Sequence, residues 1–456
     1  MTITVPYTSA PGILVPALPG PAGSELLALL YQLEQSEFWP GTARDTLQKV
    51  QLSAFLSHAW KQVPFYREHL QLTGWKPETM ITWQQFRQLP VLTRADAMQA
   101  GDSLKAVSIP QGHGEVDSGS TSGSTGRSLR YWSTGVARQL HKAMHLRRTL
   151  QHGWELSADV AGILVDKERV ASAPDGKTYA NWGSWIAPVY PTGKYHFLSV
   201  RTDIAEQLRW LNRHKPRYLH TYPSNLMALL RFASDKGYSL NFLRGINTLG
   251  ELVTQELREK VVEQFGWPLI DVYSSQEVGY IATQCTEHEH YHVQDDNVVL
   301  EVLNEDGNPC RPGEVGRVIV TPLHNFAFPL IRYELGDYAE VGGVCDCGRT
   351  SPVLKRVIGR VRNMLKHPEG RNVWPHFGTG KLHRIAPIKQ FQLLQTGSTT
   401  VELRLVLEQP LSATQESQVV QVLQNELEYP FEVVISYHDK IERSEGGKYE
   451  DFICQV

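Results

Sequence analysis

Apolar residues from Leu47 to Gln62 recur three and four positions apart, the spacing of one helical face, and Val63-Pro64-Phe65-Tyr66 breaks that pattern before a second short helix. Between about Val107 and Ile281 the pattern changes to short β-rich runs alternating with helical ones. These are Val160–Val165, Ile204–His214, Tyr218–Thr221, Asn225–Lys236 and Leu269–Tyr273. The alternation predicts an α/β domain around a mixed, largely parallel sheet. In one unit the punctuation is complete: Thr254 can cap a helix whose Leu257, Val261, Val262 and Phe265 share a face, and Gly266 ends it before the strand at Leu269. Tyr273 to Gly279 then falls at a strand's C-terminal end, where open α/β sheets bind ligands. Tyr222 and Pro223 follow a strand in the same way.

Beyond Val293 the pattern reads as hairpins, with strands at Val298–Leu303 and Arg317–Thr321 and turns at Asn304-Glu305-Asp306-Gly307 and Arg311-Pro312-Gly313, so a small β region follows the sheet. From about Val361 strands near Phe391–Leu394 and Val401–Leu407, a helix with Val419, Val420, Leu423 and Leu427 on one side, and a strand at Val433–Tyr437 predict a compact α+β domain. The expected division is a loose arm over residues 1–30, a large domain over 31–360 and a small one over 361–456.

Length and charge narrow the function. A chain of 456 residues accommodates two to three folding units, and no apolar run approaches the roughly 18 residues of a membrane span. Met1 to Ala22 is rich in Pro and Gly and has no basic region before its apolar stretch, which reads as an arm and not a signal peptide. A net charge of −3 without a basic stripe argues against nucleic acid and acidic membranes as partners. Five cysteines are too few and too unevenly spaced for a disulfide framework. The expectation is a soluble protein of the reducing cytoplasm.

The strongest local signal is Asp117-Ser118-Gly119-Ser120-Thr121-Ser122-Gly123-Ser124-Thr125-Gly126-Arg127. Glycines let backbone N–H groups turn toward one point and hydroxyls add donors, which makes a cradle for phosphate. Without the Gly-Lys-Ser/Thr ending of a Walker loop it does not read as a P-loop kinase or ATPase, and a flexible Ser/Gly linker is the plain structural alternative. Tyr273-Ser274-Ser275-Gln276-Glu277 puts an aromatic ring and a carboxylate at the ligand end of a strand, one able to stack on a base and the other to hold Mg²⁺. Asp337, in a turn after Gly336, can accept ribose hydroxyls, and Gly359-Arg360 brings a cation near the expected domain junction. Cys285, Cys345 and Cys347, with one of His288, His290 and His292, can close a tetrahedral Zn²⁺ site with no open catalytic position. Three buried thiols without metal are the alternative.

Thr121-Ser122-Gly123-Ser124-Thr125-Gly126, Tyr273–Glu277, Tyr333–Asp337, Gly359-Arg360 and Gly446-Gly447-Lys448, in that order, resemble the core motifs of the adenylate-forming superfamily of acyl- and aryl-CoA synthetases. Val63-Pro64-Phe65-Tyr66-Arg67, Leu89-Pro90-Val91-Leu92-Thr93, Pro329-Leu330-Ile331-Arg332-Tyr333 and Cys345-Asp346-Cys347-Gly348-Arg349 resemble its phenylacetate–CoA ligase-like branch. The likeness runs from about Val63 to the C-terminus. It implies a large N-terminal domain that binds ATP and acid, with a zinc-loop region over about 285–350, and a small mobile C-terminal domain.

The resemblance also implies roles. Lys448 would bridge the substrate carboxylate and the α-phosphate, Glu277 would hold Mg²⁺ and Asp337 would clamp the ribose. Tyr273 would stack on adenine, with Gly250 and Glu251 as the adenine wall, Ser274 beside the nucleotide and Arg360 near ribose or phosphate. Ser122 to Gly126 would cradle phosphate, and Tyr222, Pro223 and Ser275 would face the acid, in a segment that also holds Trp182, Trp185 and Tyr190. Members of the branch carry a structural zinc, and His292 is favoured over His288 as the fourth ligand here. The implied activity is activation of a small carboxylic acid to acyl-AMP with ATP and Mg²⁺, then transfer to CoA, by an enzyme that is typically a homodimer. Two alternatives are transfer to a carrier protein or an amine in polysaccharide or natural-product assembly, and a silent nucleotide-binding sensor. The chain departs from the family's habits at the hinge, where Arg362 or Asn363 replaces an acidic residue, and at Gln276 and Ser128.

Overall fold

The computed structural model describes residues 5–71, 73–121, 128–360, 364–373, 375, 379–444 and 447–456. The chain divides into two compact units, residues 1–357 and 358–456.

The larger unit contains a hairpin of β1 (Asp117–Ser120) and β2 (Arg130–Ser133). Its main sheet is built from β3 (Val160–Leu164), β4 (Lys177–Tyr179), β5 (Tyr195–Ser199), β6 (Tyr218–Thr221), β7 (Gly245–Leu249), β8 (Ile270–Ser275), β9 (Gly279–Gln284), β10 (Tyr291–Val293), β11 (Val298–Leu303), β12 (Val315–Pro322), β13 (Tyr333–Val341) and β14 (Val353–Arg360). These twelve strands lie in the order β11-β12-β13-β14-β10-β9-β8-β7-β6-β3-β5-β4. The run β5-β3-β6-β7-β8 is parallel, and β9 turns back antiparallel on β8. The sheet is therefore mixed, and the hairpins expected as a small β region following the sheet extend its far half.

Both faces are covered by helices, as a sheet with a parallel half requires. On one face helices Ile204–His214, Pro223–Lys236 and Gln255–Phe265 bury Trp210, Leu226, Leu229 and Leu257 against Ile163 and Ile246. Each such side chain contributes roughly 1.5–3 kcal/mol relative to exposure. The Thr254 hydroxyl caps the last of these helices by accepting from Leu257 N, and Gly266 ends it in the left-handed region at φ 74°. Its buried stripe differs from the expected one: Val262 is exposed, whereas Arg258 is buried because its guanidinium donates to Gln284 Oε1 at 3.1 Å and Tyr291 Oη at 3.0 Å.

The other face is covered by helix Gly135–Gln151, capped by Thr134. Beginning in the stretch expected as an arm and running past its end, Pro21–Ser36 is a helix that buries Leu26, Leu30 and Leu33 in the same cluster as Ala143, Met144 and Leu146. Leucines at helical spacing, with an apolar partner to cover them, account for that helix.

The smaller unit has a short hairpin, β15 (Leu365–Lys366) with β16 (Asn372–Val373), and a four-stranded sheet of β17 (Gln390–Gln395), β18 (Thr400–Val406), β19 (Glu432–Tyr437) and β20 (Phe452–Cys454) in the order β19-β18-β17-β20. Helix Ala413–Glu426 starts at a Ser412–Gln415 capping box and buries Val419 and Leu423. Among the described residues, no helix is long and apolar enough to cross a membrane.

Candidate functional site

Ser122, Gly123, Ser124, Thr125 and Gly126 lie outside the described residues, but the hairpin that carries them is described. Thr121 N donates to the Leu129 carbonyl at 2.9 Å, and Leu129 N donates to Thr121 Oγ1 at 2.9 Å, closing the loop's base. Thr121 Oγ1 also accepts from Arg94 at 2.7 Å. The same guanidinium lies 3.4 Å from Tyr333 Oη and 3.6 Å from Glu277 Oε1, and Tyr333 Oη donates to Glu277 Oε1 at 3.4 Å. One arginine thus ties the base of the Ser/Gly loop to the carboxylate expected to hold Mg²⁺. Burial, with the Glu277 charge as the second cause, pushes the Tyr333 phenol well above its ordinary pKa, so it stays a donor.

Arg94 is placed by local backbone chemistry. Thr93 and Asp96 form a capping box that starts helix Arg94–Ala100. Just before it, Leu92 pairs alongside β13, its N donating to the Arg332 carbonyl and its carbonyl accepting from Glu334 N, both at 2.9 Å. Arg332 itself has φ 49°, a conformation that costs a non-glycine residue roughly 1–2 kcal/mol. Its guanidinium is fixed on Glu301 at 2.8 and 3.0 Å and on the carbonyls of Arg87 and Leu89, which holds that conformation in place. Sequence reasoning missed Arg94. The only signal was its place directly after Leu89–Thr93.

Two more expected nucleotide residues meet: Tyr273 Oη donates to Asp337 Oδ2 at 2.9 Å. A bulge between Tyr273 and Ser274 breaks the β8–β9 register there, and Ser275 Oγ accepts from Val278 N at 3.2 Å, tightening the turn that carries Glu277. Ser274 is half-buried beside this turn. Gly250 is left-handed at φ 77°, and the Glu251 carboxylate accepts from Ser224 N at 2.9 Å, at the start of helix Pro223–Lys236. An anion at a helix N-terminus is favourably placed. Tyr222 is the N-cap of that helix and Pro223 its first residue. Both are buried, and the Tyr222 ring packs in the cluster with Ile163, Leu198 and Leu226.

Cys285, His292, Cys345 and Cys347 come together, their ligand atoms all within 4.8 Å of one another. Cys285 Sγ is 3.9 Å from Cys345 Sγ, and Cys347 Sγ is 3.3 Å from His292 Nε2. His292 Nδ1 faces Ser351 Oγ at 3.2 Å, which leaves Nε2 free to point at the thiols. His288 instead sits 2.5 Å from Asp346.

In the smaller unit Lys448 is half-buried in a tight turn, its N donating to Ser444 Oγ at 3.1 Å and its carbonyl accepting from Ser444 N at 2.9 Å. Arg360 ends β14, and the expected hinge at Val361-Arg362-Asn363 lies outside the described residues.

The family described as AMP-binding enzyme matches residues 121–326. Among relatives, the phenylacetate-coenzyme A ligase of Thermus thermophilus is 24% identical over 364 residues, 76% of each chain. That of Escherichia coli is 25% identical over 435 residues, 88% of this chain and 92% of the other. Among solved structures, 2-hydroxyisobutyryl-CoA ligase in its postadenylation state with 2-HIB-AMP superposes with a TM-score of 0.72 over 92% of both chains at 19% identity.

Proposed function

The chain is a member of the adenylate-forming superfamily, on its phenylacetate–CoA ligase-like branch, and from that premise we propose that it activates a small carboxylic acid as acyl-AMP and transfers the acyl group to CoA. The observation that carries the reading is Arg94, which joins Thr121, at the base of the Ser/Gly loop, to Glu277 and Tyr333. A cation fixed between a phosphate cradle and a carboxylate is suited to charge that develops on a transferring phosphoryl group. Tyr273 and Asp337 form the ribose and adenine side of the same site, with Ser274 beside them. Ser122 to Gly126 would receive the phosphates. Gly250 and Glu251 would border the base, Ser275 the acid and Arg360 the ribose or phosphate.

Glu277 is the residue that would hold Mg²⁺. Its contacts to Tyr333 and Arg94 are long, at 3.4 and 3.6 Å, and nucleotide-bound Mg²⁺ takes only one or two protein carboxylates. The ion would offset phosphate charge. Lys448, delivered by a mobile small unit, would bridge the acid's carboxylate and the α-phosphate. Cys285, His292, Cys345 and Cys347 fit a closed, structural zinc.

The test has two stages. Acid-dependent exchange of pyrophosphate into ATP reads adenylation, and thioester formation on adding CoA reads the transfer. Exchange with no acid in a broad panel overturns the proposal. Exchange without thioester moves the acceptor to a carrier protein or an amine, a reading favoured by the non-acidic Arg362 and Asn363 at the expected hinge.

A further inference from the structure

Helix Gly135–Gln151 carries two adjacent buried arginines in opposite surroundings. Arg147 is neutralised, with Glu37 at 3.2 Å and Asp296 at 3.1 Å. Arg148 has no carboxylate at ion-pair distance among the described residues. It donates to Asn247 Oδ1, its guanidinium lies 6.0 Å from the Tyr280 ring centroid, and its Nε has no partner among the described residues. A guanidinium taken out of water without an anion is a costly arrangement that folding alone does not explain.

Its neighbours share this imbalance. His145 stacks on Trp185 at 3.8 Å and lies 6.4 Å from His220, while His141 lies 4.7 Å from Tyr280. Among the described residues, neither His145 Nε2 nor His220 Nε2 has a hydrogen-bond partner. His141 is exposed, and His145 and His220 are half-buried. The protein around them nevertheless desolvates all three and lowers their pKa, His220 to about 3, with the Arg148 charge acting in the same direction. Imidazoles with unpartnered nitrogens beside a buried guanidinium that lacks an anion are the lining a polar ligand pocket requires. His141 packs against Gly279, two residues after Glu277, where an added Cβ would come 3.4 Å from His141 Nδ1, so this cluster borders the turn that carries Glu277.

We propose that this cluster lines a crevice that receives the far end of the acid, and that the acid carries there a second carboxylate, which pairs with Arg148 and accepts hydrogen bonds from His145 and His220. The proposal rests on the acid-activating reading above and names its substrate class, a dicarboxylic acid. One guanidinium balances one carboxylate. Uncharged imidazoles add N–H donors without adding charge, and the Trp185–His145 stack walls the spacer between the two acid groups. A plain alkyl or aryl end would leave Arg148 buried without an anion.

Matched pairs test this on the full chain: adipate against hexanoate, and 4-carboxyphenylacetate against phenylacetate, with pyrophosphate release as the readout. The diacid is expected to have the higher kcat/KM by about a hundredfold, since a site built for a polar group rejects analogues that lack it. Arg148→Met should reverse the order, and Arg148→Lys should keep it at lower rates. A wild-type preference for the monoacids overturns the proposal, as does an unchanged diacid preference in a folded Arg148→Met protein. If Arg148→Met does not fold, the wild-type order and Arg148→Lys decide. If no acid releases pyrophosphate, the ligase reading fails separately, and calorimetry with 4-carboxyphenylacetate decides this one: binding by wild type that weakens in Arg148→Lys upholds it, and no binding by wild type overturns it.

Discussion

The cluster of Cys285, His292, Cys345 and Cys347 and the cluster around Glu277 lie on the same antiparallel half of one sheet, yet their polar groups are balanced in different ways. In the first, soft donors converge on one point with their ligand atoms within 4.8 Å, and Ser351 orients the imidazole from behind. In the second, unlike charges already face each other across long contacts at the Glu277 carboxylate, 3.6 Å for Arg94–Glu277 and 3.4 Å for Tyr333–Glu277, with short links from Arg94 to Thr121 at 2.7 Å and from Tyr273 to Asp337 at 2.9 Å. A closed donor set is suited to holding loops together, because metal affinity there is folding free energy. Long, exchangeable contacts are suited to a site that must release its ligand every turnover. The first cluster should therefore govern stability and the second rate.

The largest expected effect is on rate. Arg94→Met should lower kcat/KM for acid-dependent pyrophosphate exchange by about 10²–10⁴, the range for removing a preorganised group that stabilises transition-state charge. Its melting temperature should stay within about 2 °C of wild type, since a partly exposed pair contributes about 0–1 kcal/mol. Cys345→Ser should do the reverse. Loss of several kcal/mol at about 2–4 °C per kcal/mol lowers the melting point by roughly 5–10 °C, elemental analysis shows less of the zinc proposed for this site, and activity per folded molecule is retained. Equal thermal losses in the two variants would erase the contrast.

The two clusters also differed in how far the amino-acid pattern revealed them. Helices Ile204–His214 and Gln255–Phe265 and strand Tyr218–Thr221 were readable because caps and periodicity are local signals. Strands β9, β10 and β14 were not anticipated, since their pairing depends on partners up to dozens of residues away, as with Tyr291 opposite Leu354. The cysteines could be grouped because thiols are rare and their chemistry narrow. Arg94 could not, because one arginine among many looks like solvated surface until Leu92 is seen pairing with the strand that carries Tyr333. Arg258 was hidden for the same reason: its burial depends on Gln284 and Tyr291, not on its own helix.

Smaller effects separate the members of the second cluster. Asp337→Asn keeps the shape and removes the charge, so hydrogen bonds to a nucleotide's ribose lose the extra strength of a charged acceptor. KM for ATP should rise roughly 10- to 150-fold, the 1.5–3 kcal/mol range of charge-assisted bonds, with kcat changed much less. Tyr273→Phe removes only the hydroxyl that donates to Asp337 and leaves the buried ring. If the ring's work is stacking and the hydroxyl's is to aim the carboxylate, the loss is one ordinary hydrogen bond, about 0.5–1.5 kcal/mol, or roughly a threefold to tenfold rise in KM for ATP. The double variant of Tyr273→Phe and Asp337→Asn should then cost little more than Asp337→Asn alone, because both changes remove one interaction. Additive losses in that cycle would show that Tyr273 meets the nucleotide independently of Asp337, and would split the second cluster into two separate contacts.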